Sequence, residues 1–203
     1  MNIHLIAPQD KSKWPDIWHE CFESLIKSKH NINIWNDKGI EQLLREDDNE
    51  FYNEYLNKLH IIYQIDYVRY IILEKYGGAY FDMDIKIIDD SFSDLLDNNT
   101  IYIMEGTKGT YLENSIMISP QGKYWSGLWN RVKLNAKNQI KLHFNILEDR
   151  RNVMLVAGAF MLSTFFIKWV PFNEYDILGY YNFGKVDTTI SFTKHYQSNS
   201  WTF

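Results

Sequence analysis

Asp82-Met83-Asp84 places two carboxylates one residue apart. Carboxylate oxygens are the ligands that a hard divalent cation such as Mn2+ or Mg2+ prefers, and a cation held by them can neutralise a diphosphate and stabilise it as a leaving group. Upstream, Asp66 and Arg69 are three residues apart, which on a helix puts them on one side. They supply a carboxylate that accepts from hydroxyls and a guanidinium that holds an anionic or polar group. Each feature has a plainer reading alone: solvated acids at a strand end, or an ordinary surface ion pair. What joins them is continuity. The helix carrying Asp66 and Arg69 leads through Tyr76-Gly77-Gly78 directly into the acidic segment.

The remaining sequence supplies a scaffold for such a site. Asn2 to Pro8 reads as a short buried strand carrying Ile3, Leu5 and Ile6, and Pro8-Gln9-Asp10 breaks it. From Pro15 the apolar period becomes helical, with Trp18, Cys21, Phe22, Leu25 and Ile26 on one side, and Asn31 to Trp35 gives a second strand. Ile40 to Leu44 predicts a short helix, and the charged run 45–50 after it reads as surface. A long helix over about 57–75, its start open back to Phe51, stops at Gly77-Gly78, where the missing Cβ frees the backbone. If Ala79 to Ile88 stays extended, Asp82 and Asp84 share one side of a strand and Phe81, Met83 and Ile85 the other. Strands over Thr100–Glu105 and Ser115–Ser119, a helix over Trp125–Val132, an apolar helix over Val153–Phe166 and weak alternation through Thr189-Ile190-Ser191-Phe192 follow. The pattern predicts one α/β domain with a mixed sheet and a less regular C-terminal part.

Composition narrows the function classes. A chain of 203 residues can bury one sizeable core and has little room for a second domain. The formal net charge is −5, with Lys and Arg scattered among acids, so nucleic acid is not expected as a partner. Cys21 is the sole cysteine, which excludes an internal disulfide or a thiolate metal cluster and fits a reducing, cytoplasmic setting. The opening residues lack a long apolar h-region, and no run approaches the roughly 20 apolar residues of a membrane span. A peripheral membrane contact stays open.

The segment IDYVRYIILEKYGGAYFDMD closely resembles the D-x-x-R-Y…Y-G-G-x-Y-x-D-x-D signature of DXD-containing sugar transferases of the glycosyltransferase family 32 type. That group includes initiating mannosyltransferases and capsular polysaccharide sugar transferases, and it is related to the glucosylating domains of clostridial toxins. NIHLIAP, WPDIWHECFESL and INIWND resemble the family's first strand, helix and second strand; ENSIMISPQG, VAGAFML and HYQSNSW resemble later segments. The resemblance implies a GT-A type nucleotide-sugar-binding domain with a mainly parallel central sheet flanked by helices. It further implies Mn2+ or Mg2+, a UDP- or GDP-sugar donor, and retaining transfer of a hexosyl or N-acetylhexosaminyl unit to a glycan, glycolipid or other hydroxyl acceptor. By carry-over, Asp82 contacts the ribose or sugar and reaches the metal through water, and Asp84 ligates the metal. Asp66 and Arg69 hold the donor sugar or ribose, and Leu5 and Ile6 line the nucleotide pocket. His195, Asn199, Ser200 and Trp201 complete the metal shell and contact the β-phosphate from a segment, 186–203, that closes over the donor. Ala7 stands where the family often has Trp, and Tyr196 where it often has a second His.

No carboxylate is assigned as a covalent nucleophile, because a pair of acids does not by itself establish a two-step glycosidase route. His4 reads as structural, and Trp14, Trp18, Trp35, Trp125, Trp129 and Trp169 as packing. Arg131, Lys133, Lys137 and Lys141 read as a solvated helix face, with an anionic membrane or glycolipid as the alternative. Two other functions stay open: a nucleotide-sugar hydrolase, and a non-catalytic sugar-nucleotide or glycan-binding protein.

Overall fold

The computed structural model describes residues 1–97, 99–106, 109–141, 150–179, 183 and 192–196, with the side chains of 139–141, 150 and 151 outside that description. The elements in chain order are β1 (Asn2–Ile6), α1 (Asp16–Ile26), β2 (Asn31–Trp35), α2 (Asp37–Glu54), α3 (Ile61–Tyr76), β3 (Gly78–Phe81), β4 (Ile85–Ile87), β5 (Ile101–Glu105), β6 (Leu112–Ser119), α4 (Trp125–Lys141), α5 (Arg150–Val156), α6 (Ala159–Trp169), β7 (Tyr175–Leu178) and β8 (Thr193–His195). Six strands form the main sheet in the order β2-β1-β3-β6-β5-β7, and β4 pairs with β8 in a separate ribbon. β6 alone runs against its neighbours, so the main sheet is mixed, as the residue pattern predicts, and largely parallel, as the resemblance implies.

The period of two along the strands builds a core on each face. Ile3, Leu5, Ala79 and Phe81 join one apolar cluster with Trp14 and Leu25 from the α1 side. Ile6, Tyr80 and Met117 join the other, beneath α2, α3, α4 and α6. α3 is the central helix of that second layer. From Asp66 through Leu73 every residue is buried, so α3 is covered all round and its polar side chains must find partners inside the protein.

Two glycines turn α3 into β3. Gly77 has φ 62° and its N–H donates to the Leu73 carbonyl at 3.0 Å, while Gly78 has φ 86°. A Cβ on Gly78 would lie 2.5 Å from the Asn2 carbonyl oxygen, and one on Gly77 would lie 2.6 Å from the Gln121 nitrogen. Both obstacles are backbone, so neither can swing away.

Several expectations need correction. The 79–88 segment is not one strand: β3 ends at Phe81, the Ile85 N–H closes a turn on the Asp82 carbonyl at 3.1 Å, and β4 leaves for the separate ribbon. The short helix over 40–44 is part of the longer α2, which runs on through the charged stretch with a kink at Asp48 (φ −160°, ψ 89°). That stretch is not simply surface, because the Asp47 side chain is 7% exposed, accepts from the Tyr67 hydroxyl and pairs with Lys133 at 3.1 Å. α3 begins at Ile61, after a separate 3-10 turn over Leu56–Lys58. The helix predicted over 153–166 divides into α5 and α6 around Ala157-Gly158, so the apolar stretch Asn152–Trp169, long enough to cross a bilayer by composition, is a broken pair packed largely inside. Ile26 is exposed and does not share the packed side of α1. Thr189, Ile190 and Ser191 lie outside the described residues.

Gly78 and Gly122 have nearly the same φ, 86° and 82°, but a Cβ on Gly122 meets nothing within 4 Å. Gly122→Ala is expected to cost about 1 kcal/mol, from backbone conformation alone. Gly78→Ala is expected to cost at least about 2 kcal/mol more, because of the clash with Asn2. Urea midpoints for the two variants check this, and equal losses would contradict it.

Candidate active site

The site begins with two buried charges on α3. Asp66 and Arg69 face each other at 3.0 Å with side chains 8% and 4% exposed, and a second guanidinium nitrogen reaches Asp82 at 3.3 Å. Arg69 also donates to the Asn114 carbonyl at 2.8 Å and to the Ile65 carbonyl at 3.4 Å, and its guanidinium sits 4.6 Å from the Tyr80 ring centre. Protein groups therefore occupy the fork on several sides. Asn114 closes the arrangement from β6, its side-chain amide donating to Asp66 at 3.0 Å and to the Tyr70 hydroxyl at 3.2 Å. Tyr70 in turn donates to the Ala157 carbonyl at 2.7 Å. That bond fastens the α5–α6 break beside Asp66, and a Cβ on Gly158 would come within 3.0 Å of the Asp66 carboxylate.

Asp82 sits where β3 stops. Its N–H donates to the Ser115 carbonyl at 2.9 Å, and its carboxylate accepts from the Tyr80 hydroxyl at 2.8 Å. The turn after it brings Asp84 under β8, where His195 Nε2 lies 3.3 Å from an Asp84 carboxylate oxygen. β8 is held there by the Ile85–His195 register and by the Tyr196 N–H donating to the Asp84 carbonyl at 3.1 Å. Ligand atoms of Asp82, Asp84 and His195 all lie within 4.8 Å of one another. Two carboxylates and one imidazole suit Mn2+, with Mg2+ less favoured by the nitrogen ligand. Among the described residues the buried His195 Nδ1 has no hydrogen-bond partner, which leaves the ring's polar capacity incompletely used there. The residues fit a divalent cation.

The electrostatics follow from burial and crowding. Burial pushes Asp66 up from 3.8 to about 6, with Arg69 opposing and Asp82 adding to the rise. Burial also raises Asp82, Arg69 again opposing and Asp84 reinforcing, although its side chain keeps 30% exposure. Burial pulls His195 down, but its hydrogen bond and attraction to Asp84 outweigh that and leave it above its ordinary value. A proton on His195 and a cation at the same three residues would compete, so a cation binding there would displace that proton.

The structure thus brings together Asp66, Arg69, Asp82, Asp84 and His195. Leu5 is fully buried and Ile6 nearly so, on opposite faces of the sheet. Asn199, Ser200 and Trp201 lie outside the described residues, as does most of 186–203. Tyr196 turns away, its hydroxyl donating to Glu20 at 3.3 Å. His4 is structural, with hydrogen bonds to the Gly77 carbonyl at 3.0 Å and from the Trp35 indole at 3.2 Å. Sequence reasoning gave no separate role to Tyr70 and Tyr80, because a tyrosine in an apolar stretch has the same signature whether or not its hydroxyl has work to do.

Residues 15–102 match the family model described as the glycosyltransferase sugar-binding region containing the DXD motif. Asp66, Arg69, Asp82 and Asp84 fall inside that region, and Asn114 and His195 beyond it. The chain is 30% identical over 73 residues to inositol phosphoceramide mannosyltransferase 3 of Schizosaccharomyces pombe, a match that covers 36% of this chain and only 20% of that protein. Among solved structures, the PaToxG glycosyltransferase superposes with a TM-score of 0.55 at 16% identity, covering 83% of this chain and 69% of that one. The apo form of the glycosyltransferase GlyE of Streptococcus pneumoniae TIGR4 superposes with a TM-score of 0.52 at 13% identity, covering 98% and 54%. The fold is an α/β arrangement consistent with the GT-A type, and the acidic pair lies inside the region that the DXD-motif family model matches.

Proposed function

We propose that the protein is a retaining glycosyltransferase of the family 32 type, moving a hexosyl or N-acetylhexosaminyl unit from a UDP- or GDP-sugar to an acceptor hydroxyl, with residues 1–203 as one catalytic unit. The observation that carries this reading is the single guanidinium linking the buried Asp66 to the Asp82–Asp84–His195 cluster. Asp84, Asp82 and His195 would hold Mn2+ or Mg2+, with Asn199 as a further ligand, and the ion would supply charge neutralisation for a departing diphosphate. Asp66, once ionised, accepts from hydroxyls of the donor sugar or ribose. Arg69 acts through Asp66 and Asp82, whose carboxylates it holds in place, and is a positioning residue. Leu5 and Ile6 back the nucleotide pocket, and Ser200 and Trp201 close over the phosphates and exclude water. The acceptor hydroxyl attacks from the face the diphosphate leaves: its oxygen bonds to the anomeric carbon as the bond from that carbon to the phosphate oxygen breaks, and its proton passes to the departing diphosphate.

A panel of UDP- and GDP-sugars with Mn2+, followed by mass spectrometry, tests the reading. Diphosphate release from one donor is expected, with at least a hundredfold loss in Asp84→Ala, on the order of removing one preorganised charge contact. Free sugar as the sole product in the presence of every acceptor class would favour the hydrolase. Donor binding without turnover would favour a binding protein.

The elevated Asp66 predicts two opposed pH trends. Its folded value, about 6, exceeds the ordinary 3.8, so its contribution to stability is fully present below 3.8 and is lost as pH rises through about 6. The displacement corresponds to about 3 kcal/mol for a fully buried group. Donor binding needs the ionised form and is expected to strengthen over the same interval. Denaturation midpoints and calorimetric titration with the nucleotide diphosphate at several pH values check both trends, and Asp66→Asn is expected to flatten them.

A further inference from the structure

Two segments close on Asp66 from outside α3, and each carries an aromatic ring near its contact. Asn114 of β6 donates to Asp66 at 3.0 Å, and Tyr111 precedes it by three residues, about 10 Å of extended chain. Gly158 lies against the Asp66 carboxylate, and Phe160 follows in the first turn of α6. Helical side chains lean back toward the N-terminus of their helix, so Phe160 leans toward Gly158 and the site. The two rings meet with their centres 5.5 Å apart at 83°, edge to face. Their places are fixed by hydrogen bonds. The Leu112 N–H donates to the Ser163 hydroxyl at 2.7 Å and that hydroxyl donates to the Ala159 carbonyl at 2.7 Å, which ties the first turn of α6 to the start of β6. The Gly106 N–H donates to the Tyr111 carbonyl at 2.8 Å, and a Cβ on Gly106 would fall 2.5 Å from the Tyr111 ring, so that ring lies on bare backbone. Phe160 is still 38% exposed, and Tyr111 is partly exposed.

We propose that Tyr111 and Phe160 form the acceptor subsite, a platform on which the terminal pyranose of a neutral glycan rests by its C–H face. Size and charge select this occupant. With 38% of its side chain open, Phe160 offers less than about 100 Å², against the roughly 800 Å² that each partner of a stable protein interface buries. A second copy of the chain needs far more surface than the pair supplies, whereas one sugar ring does not. Residues 152–166 carry no charge, and the described residues from Ile101 to Ser119 carry two, Glu105 and Glu113, both acidic. An anionic headgroup or a phosphorylated acceptor meets the wrong sign here. A neutral sugar meets apolar ring surface bordered by the Tyr111 and Thr110 hydroxyls and by carboxylate oxygens, each able to accept from its hydroxyls. Continuity with Asp66 through both segments sets the platform beside the groups proposed to hold the donor sugar. The role as acceptor subsite rests on the transferase reading; the binding of a pyranose does not.

Saturation-transfer NMR on the full chain tests the proposal, with methyl and octyl glycosides of the common neutral hexoses and N-acetylhexosamines as probes. Saturation of ring C–H protons is expected for at least one methyl glycoside. The Tyr111→Ser, Phe160→Ser double variant is expected to bind it at least about tenfold more weakly, and the Tyr111→Phe, Phe160→Tyr double variant, which keeps both rings, to retain most of the affinity. Phe172→Ser, at a residue 77% exposed elsewhere on the surface, is expected to change nothing. Unchanged far-ultraviolet circular dichroism and thermal midpoints keep misfolding apart from lost binding. Absence of binding for every methyl glycoside, or equal binding by the serine double variant, overturns the proposal, and binding of the octyl glycosides alone overturns it in favour of an acyl chain. Where a donor turns over, the serine double variant is expected to raise the acceptor KM by a similar factor, and an unchanged acceptor KM overturns the platform. Glycoside binding without turnover of any donor would count against the transferase reading and leave the pyranose platform standing.

Discussion

The guanidinium of Arg69 is almost completely withdrawn from water, and the local architecture depends on how it is paired. An unpaired cation in such a place is costly, and α3 gives it no solvent-facing side to escape to. The protein answers with Asp66 from the same helix, Asp82 from the end of β3 and the Asn114 carbonyl from β6. Three elements, the adjoining α3 and β3 and the distant β6, are thereby pinned to one planar, directional group. Asp82 cannot drift without leaving that charge short of a partner, and the turn that delivers Asp84 starts from Asp82.

β6 makes this geometry available. Running against its neighbours in an otherwise parallel sheet, it presents its backbone to β3 from Gly78 to Phe81 and then supplies the Ser115 carbonyl to Asp82. The chain can then leave the sheet at Asp82 without orphaning that buried amide. The neighbouring Asn114 uses both ends of its backbone and side chain on the site, reaching Arg69 with one and Asp66 with the other. Tyr70 extends the connection to the α5–α6 break, so donor-side geometry and the arrangement of the C-terminal helices share one hydrogen-bonded line.

Much of this was legible from residue pattern. β2 occupies the segment its alternation marks, α1 begins just after Pro15, and α3 ends at the glycine pair, because each boundary is set by local chemistry. The pairing of Asp66 with Arg69 follows from helical spacing alone. Other features depend on contacts that no local window contains. The 45–50 run remains helical around a kink because Tyr67 and Lys133 engage its acids from other helices. Phe81, Met83 and Ile85 are all buried, so their spacing fits a continuous strand equally well, and only the Ser115 and His195 partners reveal the break. Gly158 lies within an apolar run that gives no sign of a helix end; its role becomes visible with Asp66 against it.

The ribbon of β4 and β8 gives the candidate cation site an uneven history during synthesis. Every described strand of the main sheet has been made by residue 178, and the two carboxylates much earlier, whereas the imidazole arrives only with residues 193–195. A nascent chain therefore passes through a stage at which the sheet can be complete and the acids aligned, yet the nitrogen ligand has not left the ribosome. Through that interval two close carboxylates face each other without their imidazole partner, and their mutual repulsion is relieved when the final ribbon closes.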